Sequence, residues 1–312
     1  MPGKTPLDGM LLLTAQTPLR PGAGSGHDVI DNPVIRERST QFPFIQSSSL
    51  KGVLKTAACE IWQGDDGPGK VAAVFGPERD KAEKHEASFS PQEARIFAMP
   101  VKSLKGLFVW VTCPLVLSRF IRELSKIGRH IKDGNRNVDL NKWLNGLDVQ
   151  ENAGIIVTDG VSQIVYDEKI SLEEYELEVS TDTTIQLIAN QLADRFFTIE
   201  YLKKMFKTRL AILHDDLFRH FAVKSTEIQA NIAINQDTGT TVKGSLRYTE
   251  YLPEETLLFS SYRIGKNYSD YQELDLKKTI RELLAQVAVI QIGGNETIGK
   301  GIVHLNNWEA KS

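Results

Sequence analysis

The chain has 312 residues, enough for one large domain or two ordinary ones. Hydrophobic residues make up 41% and charged residues 25%, a globular balance that excludes wholesale disorder. Lys and Arg number 37 against 40 Asp and Glu, a formal net charge of −3, which excludes a uniformly basic nucleic-acid binder. Two cysteines, Cys59 and Cys113, stand far apart with no CxxC pair, which excludes a disulfide scaffold and a Cys-rich zinc site and fits a reducing cytoplasm. The longest apolar stretch, Leu107 to Leu117, is too short for a bilayer and is broken by Thr112 and Pro114. The N-terminus lacks a secretory h-region, so a cytoplasmic location and no membrane partner are expected.

In chain order, Met10 to Thr14 reads as a short buried strand. Gln16 to Gln46 has no regular period and holds four prolines and the run Gly22-Ala-Gly-Ser-Gly26; a loop of that length is suspect for function. Leu50, Val53, Leu54, Ala57, Ala58 and Ile61 give a helical stripe that Ser48 or Ser49 could cap. Residues 63–93 read as a charged, mobile insertion. Ala94 to Val101 and Leu107 to Cys113 read as strands, Leu115 to Leu124 as helix. Residues 125–154 read as a helical or irregular insertion. Ile155 to Val157, Gln163 to Tyr166 and Tyr175 to Val179 are strand candidates. Ile185 to Phe197 and Asp216 to Phe221 read as helices, with strand-like Arg209 to Leu213 between them.

From Thr226 to Ile234 the residues alternate, with Ile228, Ala230, Ile232 and Ile234 on one face and Glu227, Gln229, Asn231 and Asn235 on the other. The turn signal Asp237-Thr-Gly239 and a second extended run to Tyr251 complete a β-hairpin within 222–252. Leu257 to Tyr262 is a strand candidate, Leu276 to Val289 an amphipathic helix, and Ile290 to Leu305 a strand, glycine turn and strand. Helices and strands mix without strict alternation, so the fold class is α+β with an antiparallel sheet, a single module over 1–312.

The glycine turn nearly matches a phosphate loop: Gly294 to Lys300 satisfies GxxxxGK, but Gly301 replaces the Ser or Thr that holds magnesium. A strand follows instead of the helix whose N-terminus cradles phosphate. The plain reading is a glycine turn between strands. A second reading lets an RNA backbone approach the glycines while Lys300 and exposed N–H groups hold it. Gly22, Gly24 and Gly26 fail as a dinucleotide fingerprint, because His27 stands where a glycine is needed.

The loop beyond carries His27, Asp28, Asp31, Arg36, Glu37 and Arg38. Such charges can be surface ion pairs of little consequence. They are also what phosphodiester cleavage uses: arginines that bind phosphate in a fork, and a carboxylate that holds a metal or accepts a proton. With RNA the attacking group can be the substrate's own 2′-hydroxyl, so positioning does much of the catalysis. His214 and His220 are poorly spaced for a shared site, and no HExxH or Gly-x-Ser-x-Gly motif is present.

These residues resemble a known family. Thr17-Pro-Leu-Arg-Pro-Gly-Ala-Gly-Ser25, Val29-Ile-Asp-Asn-Pro-Val-Ile-Arg-Glu-Arg38, Phe42-Pro-Phe-Ile and Ser48-Ser-Leu-Lys-Gly52 are similar to the RAMP-superfamily backbone subunits of type III-B CRISPR (Cmr) effector complexes, within them to the fourth-subunit family. Phe75-Gly-Pro-Glu78, Pro100 to Gly106 with Val111-Thr-Cys-Pro114, Tyr248 to Thr256 and Gly293 to Gly301 agree in the same order. The resemblance implies an RRM-like (ferredoxin-like) palm, a projecting β-hairpin thumb at 222–252 and a catalytic loop at 16–46. It implies copies stacked head to tail along a CRISPR RNA beside other Cmr subunits, with base pairing supplying specificity. It further implies cleavage of complementary target RNA at regular intervals with a divalent metal, Mg2+ or Mn2+.

By the same resemblance Asp31 is the catalytic residue and the possible metal ligand, with Asp28 its rival. Arg36, Arg38, Ser49, Lys51, Gly294, Gly299, Lys300 and Gly301 are the RNA contacts, and Tyr248 and Glu250 lie near the target. Arg20 stands where relatives often carry His, so that position need not take part in acid–base chemistry. Two alternatives stay open: a non-catalytic guide-binding backbone, and an endonuclease that processes the CRISPR transcript. Charge is segregated along the chain. Arg95 to Arg136 carries +7 and Glu151 to Glu200 carries −9, a pattern suited to RNA contact and to packing of copies.

Overall fold

A computed structural model describes residues 7–24, 29–78, 85–150, 153–156 and 161–311. Its centre is a twelve-stranded sheet. From one edge the order is Val289–Gln291, Ile302–Glu309, Gly9–Ala15, Leu257–Ile264, Ala94–Lys102, Phe108–Thr112, Leu210–Leu213, Ala153–Ile156, Tyr175–Thr181 and Lys169–Leu172, with Phe44–Ile45 and Phe89–Pro91 pairing from the side.

Gly9–Ala15 is buried along its whole length because both faces are covered. Its side chains alternate between two cores. Met10 and Leu12 join Phe97, Trp110, Phe120 and Phe196 beneath the helices Pro114–Lys126 and Thr183–Phe196. Leu11 and Leu13 join Leu54, Val74, Leu258 and Leu283 beneath Ser47–Ile61, Gly67–Phe75 and Leu276–Gln286. The sheet therefore lies between two helical layers.

The antiparallel sheet expected from sequence is instead mixed. Leu210–Leu213 runs parallel to Phe108–Thr112, and Tyr175–Thr181 parallel to Ala153–Ile156. Parallel neighbours need long crossovers, and the chain between those strands supplies helices. Gln163 to Tyr166, expected as strand, begins inside the helix Val161–Ile164. The helix Glu200–Arg209 had no clear sequence signal, since only Met205 and Phe206 are buried along it. Residues 63–93 include Gly67–Phe75, whose Val74 and Phe75 enter the core. Ser47–Ile61 starts after Gln46 with no side-chain cap, so Ser48 and Ser49 lie inside its first turn and are exposed rather than capping it.

The hairpin stands apart as its own two-stranded sheet, Glu227–Asn231 against Arg247–Tyr251. The alternation read from sequence holds, but no core receives its apolar face. Ile228, Ile232 and Ile234 are 47%, 52% and 59% exposed.

Candidate RNA-cleavage site

The loop after Gly9–Ala15 folds back on itself: Gly22 bridges Val34, and the Ile35 N–H donates to the Pro21 carbonyl. Its return limb adds to the base of the hairpin. Asn32 bridges Thr249, the Asn32 N–H donates to the Tyr248 carbonyl at 3.1 Å, and the Glu250 N–H donates to the Asn32 carbonyl at 3.0 Å. Leu19 and Leu252 exchange both backbone hydrogen bonds on the outgoing limb. Local loop chemistry and hairpin register thus fix one another.

Asp31 sits on that seam, partly exposed, with Oδ2 accepting the Tyr248 backbone N–H at 2.8 Å. Oδ1 has no partner among the described residues. Beside it, Asn32 Oδ1 accepts from the Arg20 guanidinium at 3.2 Å, and Asn32 Nδ2 donates to Thr249 Oγ1 at 3.3 Å. Arg20 is the residue that sequence reasoning passed over. Its only signal was a departure from a family pattern, yet the fold sets its guanidinium one residue from Asp31 and against the glycine turn.

The glycine turn closes the other side. Gly294 N–H donates to the Arg20 carbonyl at 2.9 Å and Gly301 N–H to the Pro18 carbonyl at 3.0 Å. Gly293 has φ +102° and Gly301 φ +78°. A Cβ at the first would collide with the Arg20 carbonyl, and at the second with the Ile292 carbonyl. These glycines therefore serve the chain's own close packing, and Gly294 clears the Arg20 side chain. Gly299 faces open space. Lys300 Nζ lies over the Tyr251 ring, 5.2 Å from its centre, which ties the turn to the hairpin base.

Glu250 and Arg36 are engaged with each other. Arg36 NH2 meets Glu250 Oε1 at 2.5 Å, with side chains only 13% and 5% exposed. Arg36 NH1 donates to the Ala222 and Gln41 carbonyls. Glu250 also accepts from the Val34 N–H at 2.8 Å and from Thr226 Oγ1 at 2.9 Å. This buried pair braces loop against hairpin, because its donors and acceptors are engaged inside the protein. Beyond it, Arg119 grips both oxygens of Glu37 at 3.0 and 2.9 Å.

Tyr248 is 38% exposed at the hairpin base. Arg38 and Ser49 are exposed and Lys51 half-buried; their side chains form no hydrogen bond or ion pair with the Asp31 cluster. Burial, and then the neighbouring Lys55 ammonium, lowers the Lys51 pKa from the ordinary lysine value. Asp28 lies outside the described residues. No group of three His, Cys, Asp or Glu side chains converges among the described residues. A single carboxylate does not fit a resident metal centre. No described helix is long and apolar enough to cross a membrane.

The profile of the RAMP superfamily matches residues 12–304. The chain belongs to the RAMP superfamily. Within it, the chain is 35% identical over 289 residues to the CRISPR system Cmr endoribonuclease Cmr4 of Pyrococcus furiosus, covering 92% of this chain and 91% of that one. It is 25% identical to the CMR subunit Cmr4 of Saccharolobus solfataricus over 94% of both chains. The crystal structure of oligomeric Cmr4 from Pyrococcus furiosus superposes with a TM-score of 0.71 at 30% identity, covering 98% of this chain and all of that one. A subunit of the type III-B Cmr-beta complex bound to cognate target RNA shares the fold, with a TM-score of 0.73 at 21% identity over 98% of both chains.

Proposed function

We propose that this chain is a backbone subunit of a type III-B CRISPR effector that binds guide RNA, stacks with further copies and other Cmr subunits, and cleaves complementary target RNA at Asp31. The observation that carries this reading is the seam between loop and hairpin. Asp31 is held by the hairpin's own backbone, with one carboxylate oxygen engaged by Tyr248 and the other without a partner among the described residues. A hairpin that enters a guide–target duplex as a thumb therefore brings a preoriented carboxylate with it. The exposed isoleucines of the hairpin suit such insertion. The resemblance to a curated endoribonuclease over nearly the whole chain supports the same activity.

In the reaction, the target's 2′-hydroxyl attacks the adjacent phosphorus and the 5′-oxygen leaves, taking a proton from water. The products are a 2′,3′-cyclic phosphate and a 5′-hydroxyl end. Asp31 Oδ1 accepts the hydroxyl proton, while Arg20 beside it offers N–H groups to the phosphate. Lys300, with Lys51, Arg38 and Ser49, holds guide backbone, and the open ground at Gly299 admits it. A divalent ion, Mg2+ or Mn2+, would arrive with the RNA, since the described residues offer it only Asp31. In this reading the palm corresponds to the RRM-like core of the sheet. The test is target cutting by the assembled complex carrying Asp31→Asn, with loss of cleavage and retained target binding as the expected result.

A further inference from the structure

On the Thr183–Phe196 side of the sheet lies a cleft of about 230 Å³. Thr14, Gln16, Phe197, Leu202, Glu255 and His304 are among its lining residues. It has no part in the chemistry assigned to Asp31. Its backbone is tightly fixed. The Glu255 N–H donates to the Ala15 carbonyl, its carbonyl accepts the buried Trp110 indole N–H at 2.9 Å, and its φ is +65°. That left-handed conformation is unfavourable for a residue with a side chain.

The side chain adds a second cost. Glu255 Oε2 is buried with no hydrogen-bond partner, and Glu255 forms no ion pair among the described residues. Burial, with the Glu254 carboxylate beside it, pushes its pKa up to about 7. The titratable groups facing it are Glu254 on its own turn and His304 on the neighbouring strand, whose imidazole burial keeps below its ordinary pKa. Thr14, Gln16 and Thr198, from the other walls, carry no charge. On the nearby helix Lys203 is engaged with Asp194 at 3.0 Å and Glu200 at 3.9 Å, and neither it nor Lys204 or Lys207 lines the cleft.

A strained, desolvated and unpaired carboxyl is what a cation-accepting pocket looks like before its guest arrives. The geometry points to this cleft as the socket for a basic side chain, a Lys or Arg of a second copy of this chain. The guest's methylene stem lies along Phe197, Leu202 and the 58%-exposed Ile199. Its head meets the Glu255 carboxylate, with the His304 ring and the Gln16 amide as further acceptors. A phosphate backbone is disfavoured by Glu254 and Glu255 together, and too few ligands converge for a metal. The source rests on the proposed stacking of copies. It fits the charge segregation, because the cleft adjoins the −9 segment while exposed Lys132 and Arg136, without an ion pair among the described residues, belong to the +7 segment.

The test is self-association of the full chain, free of RNA, by sedimentation velocity. The bound form needs the carboxylate ionised, so wild-type association should weaken about tenfold between about pH 8 and pH 6. Glu255→Gln should associate more weakly at the higher pH and lose that Glu-linked dependence. Argininamide should compete with wild-type association and leave the variant unaffected. A melting temperature for Glu255→Gln at or above wild type at about pH 8 shows that it folds. The proposal is overturned if Glu255→Gln keeps wild-type affinity and pH response, if wild type does not self-associate, or if the variant loses guide-RNA affinity while self-association stays intact. None of those results bears on cleavage at Asp31, which the Asp31→Asn assay tests separately.

Discussion

Glu250 and Glu255 stand on the same strand and the turn that follows it, and their surroundings differ in almost every respect. Glu250 is buried among donors: a guanidinium, a backbone N–H and a hydroxyl. Glu255 is half-buried in a cleft lined by Phe197, Leu202 and the His304 imidazole, with an acid beside it and no donor for its buried Oε2 among the described residues. A buried acid whose oxygens are all engaged is a brace, and removing its partner leaves a stranded charge. A half-buried acid whose buried oxygen is left unengaged is a poised site, and removing it relieves a penalty. The accounting of donors separates the two roles.

The largest effect should come from breaking the brace. Arg36→Ala is expected to cost about 3 kcal/mol or more in chemical denaturation, and Arg36→Met with Glu250→Leu together should cost less than either single change. A loss below about 1 kcal/mol for Arg36→Ala would reduce the pair to an ordinary surface contact.

Next comes the opposite sign at Glu255. Its folded pKa, about 7, lies above the ordinary 4.5, so the folded state holds the proton more tightly. This group's favourable contribution is fully present below about pH 4.5 and is lost as the pH rises through 7. Glu255→Gln should therefore be more stable than wild type by about 1–2 kcal/mol near pH 8, allowing for solvent screening, and equal to it near pH 4.5. Thermal melts of the RNA-free chain at both pH values check this, and a destabilised variant at high pH would contradict it.

The smallest effect belongs to the exposed cations. Lys300→Ala should weaken guide binding about equally across guide sequences and reduce the salt slope by about 1. A fluorescence titration at several salt concentrations reads it out, and an unchanged slope would remove Lys300 from the guide path.

The sequence carried much of this fold. Met10 to Thr14, Ala94 to Val101 and Leu257 to Tyr262 were legible as strands because burial on both faces leaves nearly unbroken apolar runs. The hairpin was legible through its period of two. What escaped were facts that depend on distant partners. Nothing local says that Arg36 faces Glu250 across more than two hundred residues, so it read as a free phosphate contact. Arg20 was overlooked because its position beside Asp31 is made by the fold, through Asn32 and the glycine turn. The glycines of that turn read as room for RNA, whereas Gly293 and Gly301 make room for the chain's own carbonyls. A positive φ at Glu255 has no signature in a side chain that usually avoids it.

Asp31 is the group proposed to cut. The direct measurement is single-turnover cleavage of labelled complementary RNA by the assembled complex, comparing wild type, Asp31→Asn and Asp28→Asn. Asp31→Asn is expected to bind target normally and to cut at least about a hundredfold more slowly at every site, while Asp28→Asn stays near wild type. Unimpaired cutting by Asp31→Asn would contradict that role.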